Sequence, residues 1–182
     1  TAVFGIDYAD TRDFVAAGIL WKVGEIWCWK AHSWICTQSA TLPRIQFPYL
    51  EAVSREEATL VDEPQIPADY PADWIEAQAL ENNIRFGAID HFRIALMRKT
   101  FKERGWDPDP KKGNIKLTYR PEVSEVAPII TSAFISHKIR WGDSMTMRWY
   151  TNNACRKIDS NGNITFEKIE PKTRKTDGFM AF

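Results

Sequence analysis

Three aspartates in the 182-residue sequence stand where carboxylates can do chemistry. Asp7 closes the short apolar run AVFGID, and Asp90 closes a second run of the same kind, IRFGAID. Asp177 heads the terminal apolar segment DGFMAF, just after Lys172, Arg174 and Lys175. Acids at the ends of buried strands and at a helix start can be brought to one rim of a sheet. Hard divalent cations such as Mg²⁺ or Mn²⁺ take carboxylate oxygens there. Two such ions about 4 Å apart activate a water and stabilise a departing alkoxide, which is what hydrolysis of a phosphodiester requires. One carboxylate must then bridge both ions, and Asp7, on a central and rigid strand, is the natural candidate. Aspartates at strand ends are more often turn formers and helix caps, so spacing alone leaves the function open.

The elements that must position these acids follow from periodicity. Residues 2–7 and 13–23 read as buried strands, rich in β-branched and aromatic side chains. Gly24 and Glu25 supply a turn, and residues 26–35, with three tryptophans, alternate into a third strand, so the chain opens with an antiparallel meander. Residues 41–70 contain Pro43, Pro48, Pro64 and Pro67, which predicts loop with a short helix at 54–58. Behind Pro71, the stripe Trp74, Ile75, Ala77 and Leu80 predicts a helix over 71–83. A strand over 84–90 leads into a helix over 92–104 through Ile94, Met97 and Phe101. Residues 114–119 read as a strand. Val123, Val126, Ile130 and Phe134 mark a helix that Pro128 must kink or begin, and 145–153 reads as another. Residues 155–158 and 163–168 flank Asp-Ser-Asn-Gly, the best hairpin signal in the chain, since Asn-Gly tolerates the positive φ of tight turns. The order predicts an α/β fold, a mixed β-sheet flanked by helices with an added β-hairpin near the C-terminus, and ribonuclease-H-like folds share that order.

Length suits one domain spanning 1–182. A hydrophobic content of 44% with 26% charged residues is that of an ordinary globular protein, which excludes disordered and fibrous classes. No apolar run approaches the roughly 20 residues of a membrane span, and no export signal opens the chain, so no membrane role is expected. Cys28, Cys36 and Cys155 are odd in number and lack the close spacing of a zinc site or disulfide framework, which suits a reducing, cytoplasmic setting. The net charge of zero hides an asymmetry: residues 1–90 carry 6 basic against 14 acidic side chains, and residues 91–182 carry 18 against 10. A basic surface from the later half would suit a polyanion, with carboxylates collected elsewhere for cations; two solvated faces of opposite sign are an equal alternative.

Three segments carry a family resemblance. Residues 5–17, GIDYADTRDFVAA, resemble the opening of the nuclease domain of tailed-bacteriophage terminase large subunits, where a glycine, an apolar residue and an Asp precede a polar stretch, Thr-Arg-Asp and an apolar strand. Residues 88–95, AIDHFRIA, resemble the second acidic motif, an Asp that ends a strand with an alanine in the helix that follows. Residues 148–181 resemble the third, with Trp149, Asn152, Asn153 and Ala154, the Asp-Ser-Asn-Gly-Asn turn, Lys168, Lys172 and the closing Lys175-Thr-Asp-Gly-Phe-Met-Ala. The three arrive in the family's order and span almost the whole chain.

The resemblance implies a fold of the ribonuclease-H-like superfamily. It also implies a metal-dependent endodeoxyribonuclease that cleaves concatemeric double-stranded viral DNA during genome packaging in the host cell cytoplasm. Carried over residue by residue, Asp7, Asp90 and Asp177 are the catalytic acids and the ligands of two divalent metal ions, Mg²⁺ or Mn²⁺. His91, where relatives often carry proline or arginine, is a candidate extra ligand. Lys157, Lys168, Lys172, Arg174 and Lys175, around the hairpin and the third Asp, are candidate DNA-binding residues acting on the phosphate backbone. The eight tryptophans are expected in the core and at subunit contacts rather than as base-stacking platforms. The residues are expected to be the C-terminal part of a longer terminase large subunit. Its ATPase domain is absent, since no Gly-x-x-x-x-Gly-Lys-Ser/Thr occurs here. The implied partners of the full-length protein are the terminase small subunit and the portal. Two other functions stay open: another ribonuclease-H-like nuclease of the resolvase or transposase type, and a non-catalytic module that docks on DNA or the portal.

Overall fold

A computed structural model describes residues 1–8 and 12–182. Asp10 and Thr11 of the first motif lie outside the described residues. The meander is present as expected: β1 (Ala2–Asp7), β2 (Phe14–Val23) and β3 (Ile26–Cys36) pair antiparallel in turn. β5 (Ile84–Asp90) then lies parallel beside β1, and β6 (Ile115–Thr118) lies parallel beside β5. With β4 (Ala58–Val61) on the far edge, the strand order is β4-β3-β2-β1-β5-β6; β7 (Ile139–Arg140) joins the other end of β3. β1 and β2 are therefore central, which explains their near-continuous apolar sequences.

Each face of the sheet holds its own core. Phe4, Ile6, Val15, Ala17, Ile19 and Ile89 face α2 (Asp69–Glu81) and α3 (Ile94–Glu103), which contribute Ile75, Met97 and Phe101. The alternate residues, among them Phe14, Ala16, Trp29 and Ile35, face α1 (Tyr49–Ser54), α5 (Met145–Asn153) and the short α6 (Asp177–Ala181), which contribute Ala52, Met147, Tyr150 and Phe179. The acids of β1 and β5 point to this second face. α4 (Arg120–Ile135) packs on the hairpin of β8 (Ala154–Ile158) and β9 (Ile164–Lys168).

Three expectations are corrected. The helix predicted at 54–58 lies earlier, at Tyr49–Ser54, and ends where Glu56 turns to a φ of 59°. The residues that follow form β4, anchored through Ser33↔Ala58 and its successors on β3. Of the two roles expected for Pro128, beginning the helix is ruled out: α4 starts at Arg120, where Pro121 occupies the first turn and Glu122 accepts the Tyr119 backbone N–H, and Pro128 sits inside it. Packing of buried Ala127 and Ala133 holds the helix across the missing N–H.

Candidate active site

The parallel ladder between β1 and β5 runs through Gly5↔Ala88 to Ile6↔Ile89. One step further on it makes Asp7 and Asp90 neighbours at the C-terminal ends of adjacent strands, about 5 Å apart in backbone. Their side chains project from the same face, opposite Ile6 and Ile89. Asp7 is buried, while the Asp90 side chain is 46% exposed and its Oδ1 accepts the Phe92 backbone N–H at 2.7 Å. Both acids line one cavity of about 840 Å³, walled by β5, β6, the start of α4, the hairpin and the last residues of the chain.

Asp177 comes to this region on α6, whose Phe179, Met180 and Ala181 line the cavity. Two glycines allow the helix to lie so close. A Cβ on Gly5 would collide with the Ala181 carbonyl oxygen, and one on Gly178 with the Tyr150 ring. Asp177 is buried and its Oδ2 has no hydrogen-bond partner among the described residues. Burial pushes its carboxyl above the ordinary aspartate value, opposed by the Lys168 and Lys175 charges and assisted by Asp13. The Tyr150 hydroxyl, within 3.0 Å of Ser33 Oγ, is pushed well up by burial, and Asp177, Asp7 and Asp13 all add to that push. The Tyr150 phenol thus lies in the field of Asp177, Asp7 and Asp13.

Among the described residues, no three His, Cys, Asp or Glu side chains already encircle an ion-sized space. The arrangement is two carboxylates side by side at a cavity wall and a third, with an orphaned oxygen, on the helix against β1. Carboxylate oxygens are the donors that hard divalent cations take, and a buried charged oxygen without a partner is costly unless something binds it. The donor set fits a divalent ion. His91 stands at the same wall: its Nδ1–H donates to the Thr118 carbonyl at 3.1 Å, leaving Nε2 with the lone pair in the neutral ring. The ring stacks on Tyr119 at 4.1 Å between centroids and lies tilted against Phe92 at 3.9 Å.

The five candidate DNA-binding residues do not stay together. Lys157 is exposed, lines the cavity and pairs with Glu167 at 2.9 Å. Lys168 is half-buried and its charge reaches Asp177. Lys172 is exposed and Arg174 half-buried, and neither is part of the cavity wall. Lys175 does not face solvent. It is buried in an ion pair with Asp13, so its ammonium is withdrawn from any phosphate on the surface. Sequence reasoning missed three residues here. Asp13 carried only the start of a strand and a place in the Thr-Arg-Asp of the first motif, with no role assigned. Lys116 and Arg120 are exposed cations of the cavity wall, and the only sequence signal was their position within and just after the 114–119 strand. No tryptophan is part of that wall; Trp29, Trp34 and Trp106 are buried.

Solved structures share the whole architecture. The chain aligns over its full length with the large terminase of bacteriophage HK97 at a TM-score of 0.84 and 17% identity, and covers 38% of that protein. It aligns over 99% of its length with the magnesium-bound large terminase nuclease of thermophilic phage G20c at 0.60 and 9% identity, covering 77% of it. At these identities the likeness is one of fold, and the ribonuclease-H-like fold expected from the sequence is the one observed. No protein-family model matches the chain, and no curated protein matches it in sequence.

Proposed function

We propose that this chain is the nuclease domain of a phage terminase large subunit, cutting double-stranded DNA as a genome is packaged. The observation that carries the reading is the placement of Asp7 and Asp90 at the ends of β1 and β5, one step beyond the Ile6↔Ile89 pair, on the face that α6 approaches with the Asp177 oxygen that has no partner among the described residues. The same fold bears a magnesium ion in the G20c nuclease.

Asp7, Asp90 and Asp177 would hold one or two Mg²⁺ or Mn²⁺ ions, with His91 Nε2 within the same wall as a further ligand. Bound there, divalent ions supply an activated water and stabilisation of the leaving oxygen. The remaining work falls to the chain itself. Lys116, Arg120 and Lys157 set the phosphate backbone along the cavity, contributing affinity without base information. Buried Asp7 and rigid central strands fix the acids before DNA arrives, so that little reorganisation is needed during reaction. Concatemeric viral DNA as substrate, the terminase small subunit and portal as partners of a longer protein, and the host cytoplasm as its setting belong to the same reading.

The test is nicking of supercoiled plasmid by the chain with Mg²⁺ or Mn²⁺, against the same protein in excess EDTA. Cleavage with either ion and none with chelator is the expected result. Equal activity in EDTA overturns metal dependence, and silence with both ions favours the docking module. Cleavage confined to branched or defined sequences favours a resolvase or transposase.

A further inference from the structure

Asp13, at the mouth of β2, and Lys175, two residues before Asp177, form an ion pair whose side chains are 4% and 9% exposed. The surroundings fix both partners. Ser39 Oγ donates to Asp13 Oδ1 at 3.4 Å, the Phe14 ring lies 5.9 Å from the ammonium, and Asn153 Nδ2 donates to the Lys175 carbonyl at 3.2 Å. The Lys175 charge also reaches Asp177. One buried ammonium thus stands in the field of two buried carboxylates. It bonds Asp13, and Asp177 Oδ2 stays without a partner among the described residues.

A buried ion pair is a weak device for stability, because desolvating both charges offsets much of their attraction. Its placement here has a different consequence. A lysine two residues from a metal-binding carboxylate is a competitor for the ion, since its ammonium can occupy the same oxygen. We propose that Asp13 is a positioning residue that holds the Lys175 ammonium off Asp177 and so leaves the Asp177 oxygen open to a divalent cation. This rests on the reading of Asp177 as a metal ligand. Without the Asp13 charge, Lys175 is a buried ammonium left in the field of the Asp177 carboxylate, and unpaired buried charges find partners. An ammonium on Asp177 then has to be displaced before an ion can bind.

Mn²⁺ titration by calorimetry, with the chain as it stands and no DNA, tests this without any activity measurement. Asp13→Asn keeps the side-chain shape and a hydrogen-bond acceptor for Ser39. It should weaken Mn²⁺ binding by about tenfold to a hundredfold, the strength of a hydrogen bond between charged groups. Asp13→Asn with Lys175→Met removes the competing ammonium as well and should return the affinity to that of the wild type. Wild-type affinity in Asp13→Asn overturns the proposal, as does a double variant that stays as weak as the single one. Where Asp13→Asn does not fold, the double variant decides alone: wild-type affinity supports the proposal, and weakened binding overturns it. A wild-type protein that takes up no Mn²⁺ overturns the metal-site reading and this proposal with it, and is distinct from every other failure.

Discussion

Asp7 and Asp90 are cross-strand neighbours, placed one register step beyond the Ile6↔Ile89 pair of two parallel central strands. Each is the last residue of its strand, and both face the cavity that the hairpin and α6 close. Neutralising either acid removes an oxygen donor from a site where the hydrophobic core on the opposite face is untouched. Asp7→Asn should therefore keep its far-ultraviolet circular dichroism and lose cleavage by more than about a hundredfold, the upper loss seen when even a supporting partner of a metal ligand is removed. A variant that cuts like the wild type, or that unfolds, would assign Asp7 a structural role.

Asp177 gives a separable outcome because its carboxylate is buried with one oxygen unpaired. Replacing it with Asn removes a desolvated charge, so the metal-free variant should melt no lower than the wild type. A ligand at about 100 times its dissociation constant stabilises by about 2.7 kcal/mol. Mn²⁺ at such excess should raise the wild-type melting temperature and leave that of Asp177→Asn nearly unchanged. An equal rise in both proteins would place the ion elsewhere.

The parts of the molecule that were legible in sequence are those whose signal is local. β1, β2, β3 and β5 are apolar runs bounded by turns or acids, and the 154–168 hairpin carries its own Asn-Gly turn. β4 escaped because four residues between prolines have no period of their own; they become a strand only by lying against Ser33–Cys36 of β3. Lys175 was misplaced for the same kind of reason. It stands in a basic run that reads as surface, yet its partner Asp13 is 162 residues away, and only the docking of α6 on β2 brings them together. Lys116 is placed on the face of Asp90 by the Ala88↔Lys116 register, which no local pattern shows.

Glu57 is the chief link between β4 and α5. Its Oε2 accepts Ser144 Oγ at 2.9 Å, the Thr146 N–H at 2.8 Å and Thr146 Oγ1 at 2.7 Å, while Oε1 accepts the Met145 N–H at 3.1 Å. Burial raises its pKa, but these hydrogen bonds outweigh burial and hold it below the ordinary glutamate value. A depressed carboxyl stabilises the fold fully above its unfolded-state pKa, and that stability is lost as the pH falls through the folded-state value. Glu57→Ala should cost about 1 kcal/mol at neutral pH, the scale of a lost helix N-cap. The difference from wild type should shrink in acid below the ordinary glutamate range. Urea denaturation at neutral and acidic pH measures it, and a difference that stays constant across that range would contradict the assignment.

The proposed phosphate contacts are best tested on the cavity wall, where exposed cations lie. Lys116, Arg120 and Lys157 are exposed there, whereas Lys175 is consumed in an ion pair and Lys172 is outside the wall. If the three wall cations touch phosphates, replacing them by Ala should weaken binding alike on two unrelated duplexes, since phosphate contacts carry no base information. The dependence of log affinity on log salt should become shallower by roughly 0.9 for each phosphate no longer neutralised, the counterion-release slope of duplex DNA. Lys157 has Glu167 at 2.9 Å, so its share should be the smallest of the three: part of its charge is already answered within the hairpin. Lys172→Ala serves as the control, an exposed lysine of the same basic half whose loss should leave the slope nearly unchanged. Anisotropy in Ca²⁺ across several salt concentrations reads all of these without cleavage. A triple variant with the wild-type slope, together with a shallower slope in Lys172→Ala, would move the DNA off the cavity wall and onto the segment that follows the hairpin.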